Sequence, residues 1–139
     1  MVRGALTVNR IADRLADLSV ERRDLDLLVL FGSAARSRTR AGSDIDLAVQ
    51  CDGPADLDLL YACIAERLRA DPIDLVDLHR AGPLLAFQVA RSGRLLFERR
   101  LGAFREFQSL ASRRYCDTAK LRLAQRRTIH AFLERQGLV

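Results

Sequence analysis

Apolar residues in this chain fall into two rhythms, short near-continuous runs and stripes spaced three or four apart, and the two alternate from one end to the other. Ile11, Leu15 and Leu18 recur at helical spacing after Thr7, whose hydroxyl suits an N-cap, so a helix opens the pattern. The run LDLLVLF, Leu25–Phe31, predicts a buried strand, and SDIDLAV at 43–49 predicts a second through its alternation. A turn at Cys51-Asp52-Gly53-Pro54 leads to Leu57, Leu60, Ile64 and Leu68, again at helical spacing. Pro83 starts a helix that Gly93 ends. From about 101 to 136 the chain predicts one long helix or two, with Phe104, Phe107, Ala111, Thr118, Leu121, Ile129 and Phe132 near one stripe. The expected fold is α/β, a small mixed sheet flanked by helices, with a long C-terminal helical segment. It divides into a core over 1–98 and a helical segment over 99–139 that packs on it, all within one domain.

Chemistry concentrates between the first two strands. Gly32-Ser33 follows the apolar run directly, where a glycine lets the backbone approach a ligand closely. Ala34, Ala35 and Arg36 can open a short helix, whose first N–H groups suit an anion. Ten residues after Ser33 come Asp44-Ile45-Asp46, and side chains two apart on a strand face one way. Ile45, Leu47 and Val49 form the opposite, apolar face and would fix the carboxylates by their burial. Two hard acids beside a phosphate cradle suit divalent magnesium, which takes one or two protein carboxylates and completes its shell with water and phosphates. The expected ligand is a nucleoside triphosphate with its metal. Two other Asp-x-Asp pairs lack this setting: Asp24/Asp26 adjoin a strand, and Asp56/Asp58 stand at a helix start, where acids cap and meet the helix dipole.

The pattern Gly32-Ser33-x10-Asp44-x-Asp46, with Arg36 after the serine and Ser43 before the first aspartate, resembles the core motif of the DNA polymerase beta-type nucleotidyltransferase superfamily. In its short length the chain is similar to the minimal nucleotidyltransferases, including the antitoxin members encoded beside HEPN-domain toxins. The likeness extends to Pro72-Ile73-Asp74-Leu75-Val76-Asp77-Leu78, which resembles the family's third strand, to Gly93-Arg94-Leu95-Leu96-Phe97, which resembles its next short strand, and to the final helical run with Tyr115 and Asp117, while its diagnostic weight rests on 32–49. One departure is Ser37, where many members carry glycine. The resemblance implies a third carboxylate on the next strand. Asp74 and Asp77 are three apart, so a regular strand would turn them to opposite sides and admit only one; the family-like position is Asp74. Asp77 is then a strand-end carboxylate held by a neighbouring arginine.

What the resemblance further implies is transfer of AMP from ATP to a hydroxyl with release of pyrophosphate. Asp44 and Asp46 would hold two magnesium ions, or manganese, and Asp74 would share one and accept the hydroxyl proton. Gly32, Ser33 and Ser43 would bind nucleotide phosphates, with Arg36, helped by Arg38 or Arg40, offsetting charge on pyrophosphate. The implied acceptor is a tyrosine on a HEPN-domain toxin, which its modification silences.

Composition adds location and partners. The 139 residues suffice for one domain with a real core, and no run of eighteen apolar residues occurs. The early charges in MVRGALTVNRIADRL do not suit a secretory leader, so the cytoplasm is expected. Cys51, Cys63 and Cys116 are odd in number and far apart, which predicts reduced, mostly buried thiols. The net charge of +5 is uneven, because ten basic and four acidic residues from Glu98 onward give that segment +6 and leave −1 for the rest. Arg99, Arg100, Arg113, Arg114, Arg126 and Arg127 could meet an acidic protein or nucleic acid, although few aromatics are present to stack on single strands. An apolar stripe flanked by arginines reads as a docking surface. His79 and His130 are isolated, and neither a Walker loop nor a Gly-x-Ser-x-Gly elbow occurs. Three other functions stay open: transfer to a small hydroxylated molecule such as an aminoglycoside, inhibition of a partner by contact alone, and nucleic-acid binding through the basic C-terminus.

Overall fold

A computed structural model describes residues 6–35, 44–69 and 72–138. Its elements run α1 (Val8–Arg14), α2 (Leu18–Glu21), β1 (Leu25–Phe31), α3 (Gly32–Ala35), β2 (Ile45–Cys51), α4 (Leu57–Leu68), β3 (Ile73–Asp77), α5 (Pro83–Ser92), β4 (Arg94–Glu98), α6 (Ala103–Asp117) and α7 (Ala119–Arg135). The four strands form one mixed sheet in the order β3-β2-β1-β4. β1 pairs antiparallel with β2 and with β4, and β2 pairs parallel with β3 through the α4 crossover, as a β-helix-β connection requires.

Strand alternation sends two sets of side chains to two faces. Leu28, Leu30, Ile45, Leu47, Val49 and Cys51 face α1 and α4, where Ile11, Leu15, Leu18, Leu60, Ile64 and Leu68 close over them. Leu27, Val29 and Ala48 face the other way, onto Val89 of α5 and Phe104 of α6. The caps anticipated from sequence are present: Thr7 Oγ1 accepts from the Arg10 N–H, Asp56 Oδ1 from Leu59, and Pro83 occupies the first turn of α5.

Several polar groups lock this frame in ways that local sequence does not reveal. Arg67 of α4 pairs with Asp17 and Glu21, and Arg14 donates to the Leu68 carbonyl at 2.6 Å, tying the first helices to α4. Arg99 donates to the carbonyls of Leu25 and Ser19 at 2.9 and 3.0 Å, so this arginine is structural. Arg100 pairs with Glu106. The Glu98 carboxylate accepts from the N–H groups of Phe104 and Gly102, which caps α6 and holds its pKa below the usual carboxylate value. Of the three cysteines only Cys51 is buried. Burial pushes its thiol up to about 11, whereas Cys63 is half-buried and Cys116 exposed, which corrects the expectation of mostly buried thiols. Among the described residues no helix is long and apolar enough to cross a membrane.

The long C-terminal run is two helices. At Thr118 the hydroxyl donates to the carbonyls of Arg114 and Tyr115, a competition with the helix ladder that bends helices. The expected stripe accordingly splits. Phe104 and Ala111 are buried on the sheet side, while α7 buries no residue at all.

Candidate functional site

β1 delivers the chain to Gly32 at the end of the sheet, and the backbone turns there with φ +71°, a conformation in which side chains other than hydrogen are strained. The turn is pinned from below by Ala34 and Ala35, which are buried in the core beneath the sheet. Gly32 also has no room for a side chain. A Cβ built on it would overlap Asp46 Oδ2 and lie 3.1 Å from the Asp46 Cγ. The glycine and the second aspartate of the motif are therefore packed against each other across β1 and β2.

Register then decides which acids meet. Asp46 of β2 lies opposite Asp74 of β3, one strand spacing away, and both are on the face that α5 and α6 cover elsewhere. Asp77, paired with Val49, points to the other face. It is buried, and its Oδ1 accepts the His79 N–H at 3.0 Å, so its partner is a backbone amide rather than the arginine anticipated. Asp44 is exposed and sits one residue before β2, whose first residue is held by the Ile45 N–H donating to the Pro72 carbonyl at 3.0 Å. Ser33 is half-buried beside this cluster. Arg36 and Ser43, and with them Arg38 and Arg40, lie outside the described residues.

Electrostatics register the convergence. Burial first, then the charges of Asp74 and Asp44, push the Asp46 carboxyl above its ordinary value of 3.8. Three carboxylates that repel one another at the mouth of a sheet are a donor set that a divalent cation would relieve. Among the described residues no three acid, histidine or cysteine side chains lie together closely enough to hold a metal ion as they stand. Magnesium does not require three, since it binds through one or two carboxylates and completes its shell from phosphates and water. Asp46 with one of its acidic neighbours offers the one or two carboxylates that such an ion takes from protein.

Among the described residues a cleft of about 610 Å³ opens at Phe31 and Gly32. Its far wall is α5, with Leu84, Phe87, Gln88, Arg91 and Ser92, and Tyr115 of α6 closes one end. Tyr115 stacks on Phe87 at 4.0 Å between ring centroids, and the Arg122 guanidinium lies over its other face at 3.9 Å. Sequence reasoning missed the α5 wall. Phe87 and Leu84 follow helical spacing like any core stripe, and only the tertiary arrangement shows that their end of α5 overhangs Gly32.

Comparison with known proteins places the chain in a family. Residues 13–101 fit the family model described as Polymerase beta, Nucleotidyltransferase. The chain is similar to the protein adenylyltransferase MntA of Aphanizomenon flos-aquae (strain 2012/KM1/D3), 31% identical over 126 residues that cover 82% of this chain and 84% of that protein. Among solved structures, a toxin–antitoxin with AMP-PNP superposes with a TM-score of 0.74 at 26% identity, covering 86% of this chain and 98% of that one. The fold is also shared, at 24% identity and a TM-score of 0.61, with a chain of the tri-AMPylated Shewanella oneidensis HEPN toxin in complex with MNT antitoxin; coverage is 91% of this chain and 98% of that one.

Proposed function

This chain belongs to the polymerase beta nucleotidyltransferase family, and from that membership we propose that it transfers AMP from ATP to a tyrosine hydroxyl of a HEPN-domain toxin and acts as the antitoxin of the pair. The observation that carries the reading is the register pairing Asp46 with Asp74 beside Gly32, at the mouth of a cleft of nucleotide size. The similarity to the adenylyltransferase MntA supports the nucleotide, and the likeness to toxin–antitoxin structures, one of them with AMP-PNP, supports the setting.

Asp44, Asp46 and Asp74 are the residues that would hold magnesium, which when bound neutralises phosphate charge and lowers the pKa of the acceptor hydroxyl. In this reading the backbone N–H groups of the turn at Gly32 and Ser33 seat the terminal phosphates, next to the Asp46 carboxylate against which Gly32 is packed. Asp74 is exposed, faces the same side as Asp46, and accepts the proton as the acceptor oxygen attacks the α-phosphorus. The new O–P bond forms as the bond to pyrophosphate breaks. Arg36 and Ser43 complete the phosphate contacts in this reading. Asp77 takes no part.

The test is to incubate the purified protein with ATP, magnesium and the HEPN-domain protein encoded beside it, and to read AMP on the acceptor by mass spectrometry. Wild type should modify a tyrosine, and the Asp44→Asn/Asp46→Asn double variant should bind the acceptor yet add nothing. An acceptor left unmodified by wild type, or modified equally by the double variant, overturns the assignment.

A further inference from the structure

Helix α7 is 17 residues long and buries none of them. In proteins most helical stability comes from packing an amphipathic face rather than from propensity, and among the described residues α7 lacks the surface that would supply it. The face in question is legible. Leu121, Ile129 and Phe132 are 58%, 58% and 53% exposed, and at 100° per residue they fall within an arc of about 80°. Leu123, also half exposed, lies outside that arc.

Charge narrows what can cover it. α7 carries Lys120, Arg122, Arg126, Arg127 and Arg135 against Glu134 alone, five cations minus one anion, or +4. Arg122 is committed internally, donating to Thr118 Oγ1 at 2.5 Å and to the Tyr115 carbonyl at 3.0 Å. Glu134, the one acid, is matched to His130 at 3.1 Å. Lys120, Arg126 and Arg127 have no acidic partner among the described residues, and neither do Arg113 and Arg114 at the end of α6. A second copy would set +4 against +4 within a Debye length of about 8 Å, which disfavours self-pairing. Nucleic acid would answer the cations but has no surface to cover a leucine, an isoleucine and a phenylalanine, and an exposed apolar patch rimmed by charge marks a protein interface.

We propose that α7 is the helix by which this chain holds its protein acceptor, laid into an apolar groove whose rim carries carboxylates. The proposal rests on the reading of a protein acceptor given above and adds where that acceptor is gripped and by what chemistry. Position supports it. The first turn of α7 is joined to the cleft by the Arg122–Tyr115–Phe87 stack, and Phe87 lines the same cleft as Gly32. A partner seated on α7 is thereby anchored next to the site that would modify it.

Binding of the adjacent HEPN-domain protein to the full-length chain is measured by calorimetry for wild type, for Ile129→Gln/Phe132→Gln and for Arg126→Glu/Arg127→Glu. All four positions are exposed, and thermal melts verify that each variant is folded. Each double variant should weaken the affinity about tenfold or more. The loss in the charge-reversal variant should shrink as salt is raised. AMP transfer at saturating acceptor should stay near the wild-type rate, so that KM rises while kcat holds. Folded variants that bind as wild type does, a wild-type chain that does not bind the acceptor at all, an α7-dependent dimer in sedimentation, or loss of affinity for a poly(U) RNA in place of the protein would each overturn the proposal. Wild-type affinity in both variants together with intact AMP transfer would remove α7 from the interface and leave the reading of function standing; absence of transfer by wild type would remove that reading instead.

Discussion

Replacing Gly32 by alanine perturbs the proposed site through a single carbon atom. Two costs follow from the structure and they are separable. The backbone cost arises from φ +71°, where a side chain beyond hydrogen raises the energy by about 1–2 kcal/mol. For a domain of this size that lowers Tm by roughly 3–8 °C. The second cost is local, because the new Cβ occupies the space of Asp46 Oδ2 and stands 3.3 Å from the Asp46 Cβ. The carboxylate must swing away or β1 and β2 must part, and a displacement of about 1 Å in a reacting group costs on the order of a hundredfold in rate. Gly53→Ala provides the control, since Gly53 has φ +88° but nothing within 4 Å of the place its Cβ would take. Both variants should lose similar thermal stability by differential scanning fluorimetry, while only Gly32→Ala should lose AMP transfer, measured at a temperature where both are fully folded. Transfer by Gly32→Ala within a few-fold of Gly53→Ala would refute the idea that the Gly32–Asp46 packing holds the site.

The two candidate third carboxylates should separate cleanly: Asp74→Asn should depress transfer by about a hundredfold or more with no loss of Tm, whereas Asp77→Ala should lower Tm by removing a buried side chain and its hydrogen bond from the His79 N–H, and keep transfer within a few-fold at low temperature. The reverse ranking would place the wrong face of β3 at the site. Asp46 makes a pH prediction: its folded pKa is raised, so the folded chain binds the proton more tightly than the unfolded chain, and stability falls as pH rises from about 3.8 through the raised value. In chelator at pH 7, Asp46→Asn should therefore melt higher than wild type, the gain should vanish below pH 3.8, and added magnesium should narrow it; a lower melting point for the variant at pH 7 would contradict the repulsion attributed to Asp74 and Asp44.

Much of this architecture is local, and local features are what a sequence states. Thr7, Asp56 and Pro83 begin helices because the groups they satisfy, or the donor Pro83 lacks, lie within one turn of them. Leu25–Phe31 is a strand because a continuous apolar run can be buried on both faces. Asp44 and Asp46 come together by the period of a strand alone. The features that could not be read are those whose partners are distant. Asp74 and Asp77 have the same chemistry and similar neighbours, so in sequence only the family resemblance favours Asp74, and it is the parallel ladder that sets Asp46 opposite Asp74. Arg99, in sequence one more free cation of the C-terminus, is spent on carbonyls some 74 and 80 residues earlier in the chain. Glu98 reaches forward to cap α6, but it does so from the end of a strand, where no helix-start signature applies.

The split of the C-terminal stripe has the same physical origin. A helical wheel records which side chains share a face, and it is silent on whether anything stands opposite. Phe104 and Ala111 meet the sheet and α5, so their half of the stripe is core. Past the bend at Thr118 the same periodicity continues with none of the described residues burying it. Because the bend lies directly after Tyr115, whose ring is clasped between Phe87 and Arg122, the point at which the stripe stops being core is also the point at which α7 touches the cleft wall. Arg122→Ala would cut that link while leaving every acid of the site in place, so its effect on transfer measures how far the orientation of α7, rather than the carboxylates alone, governs the chemistry at Asp46 and Asp74.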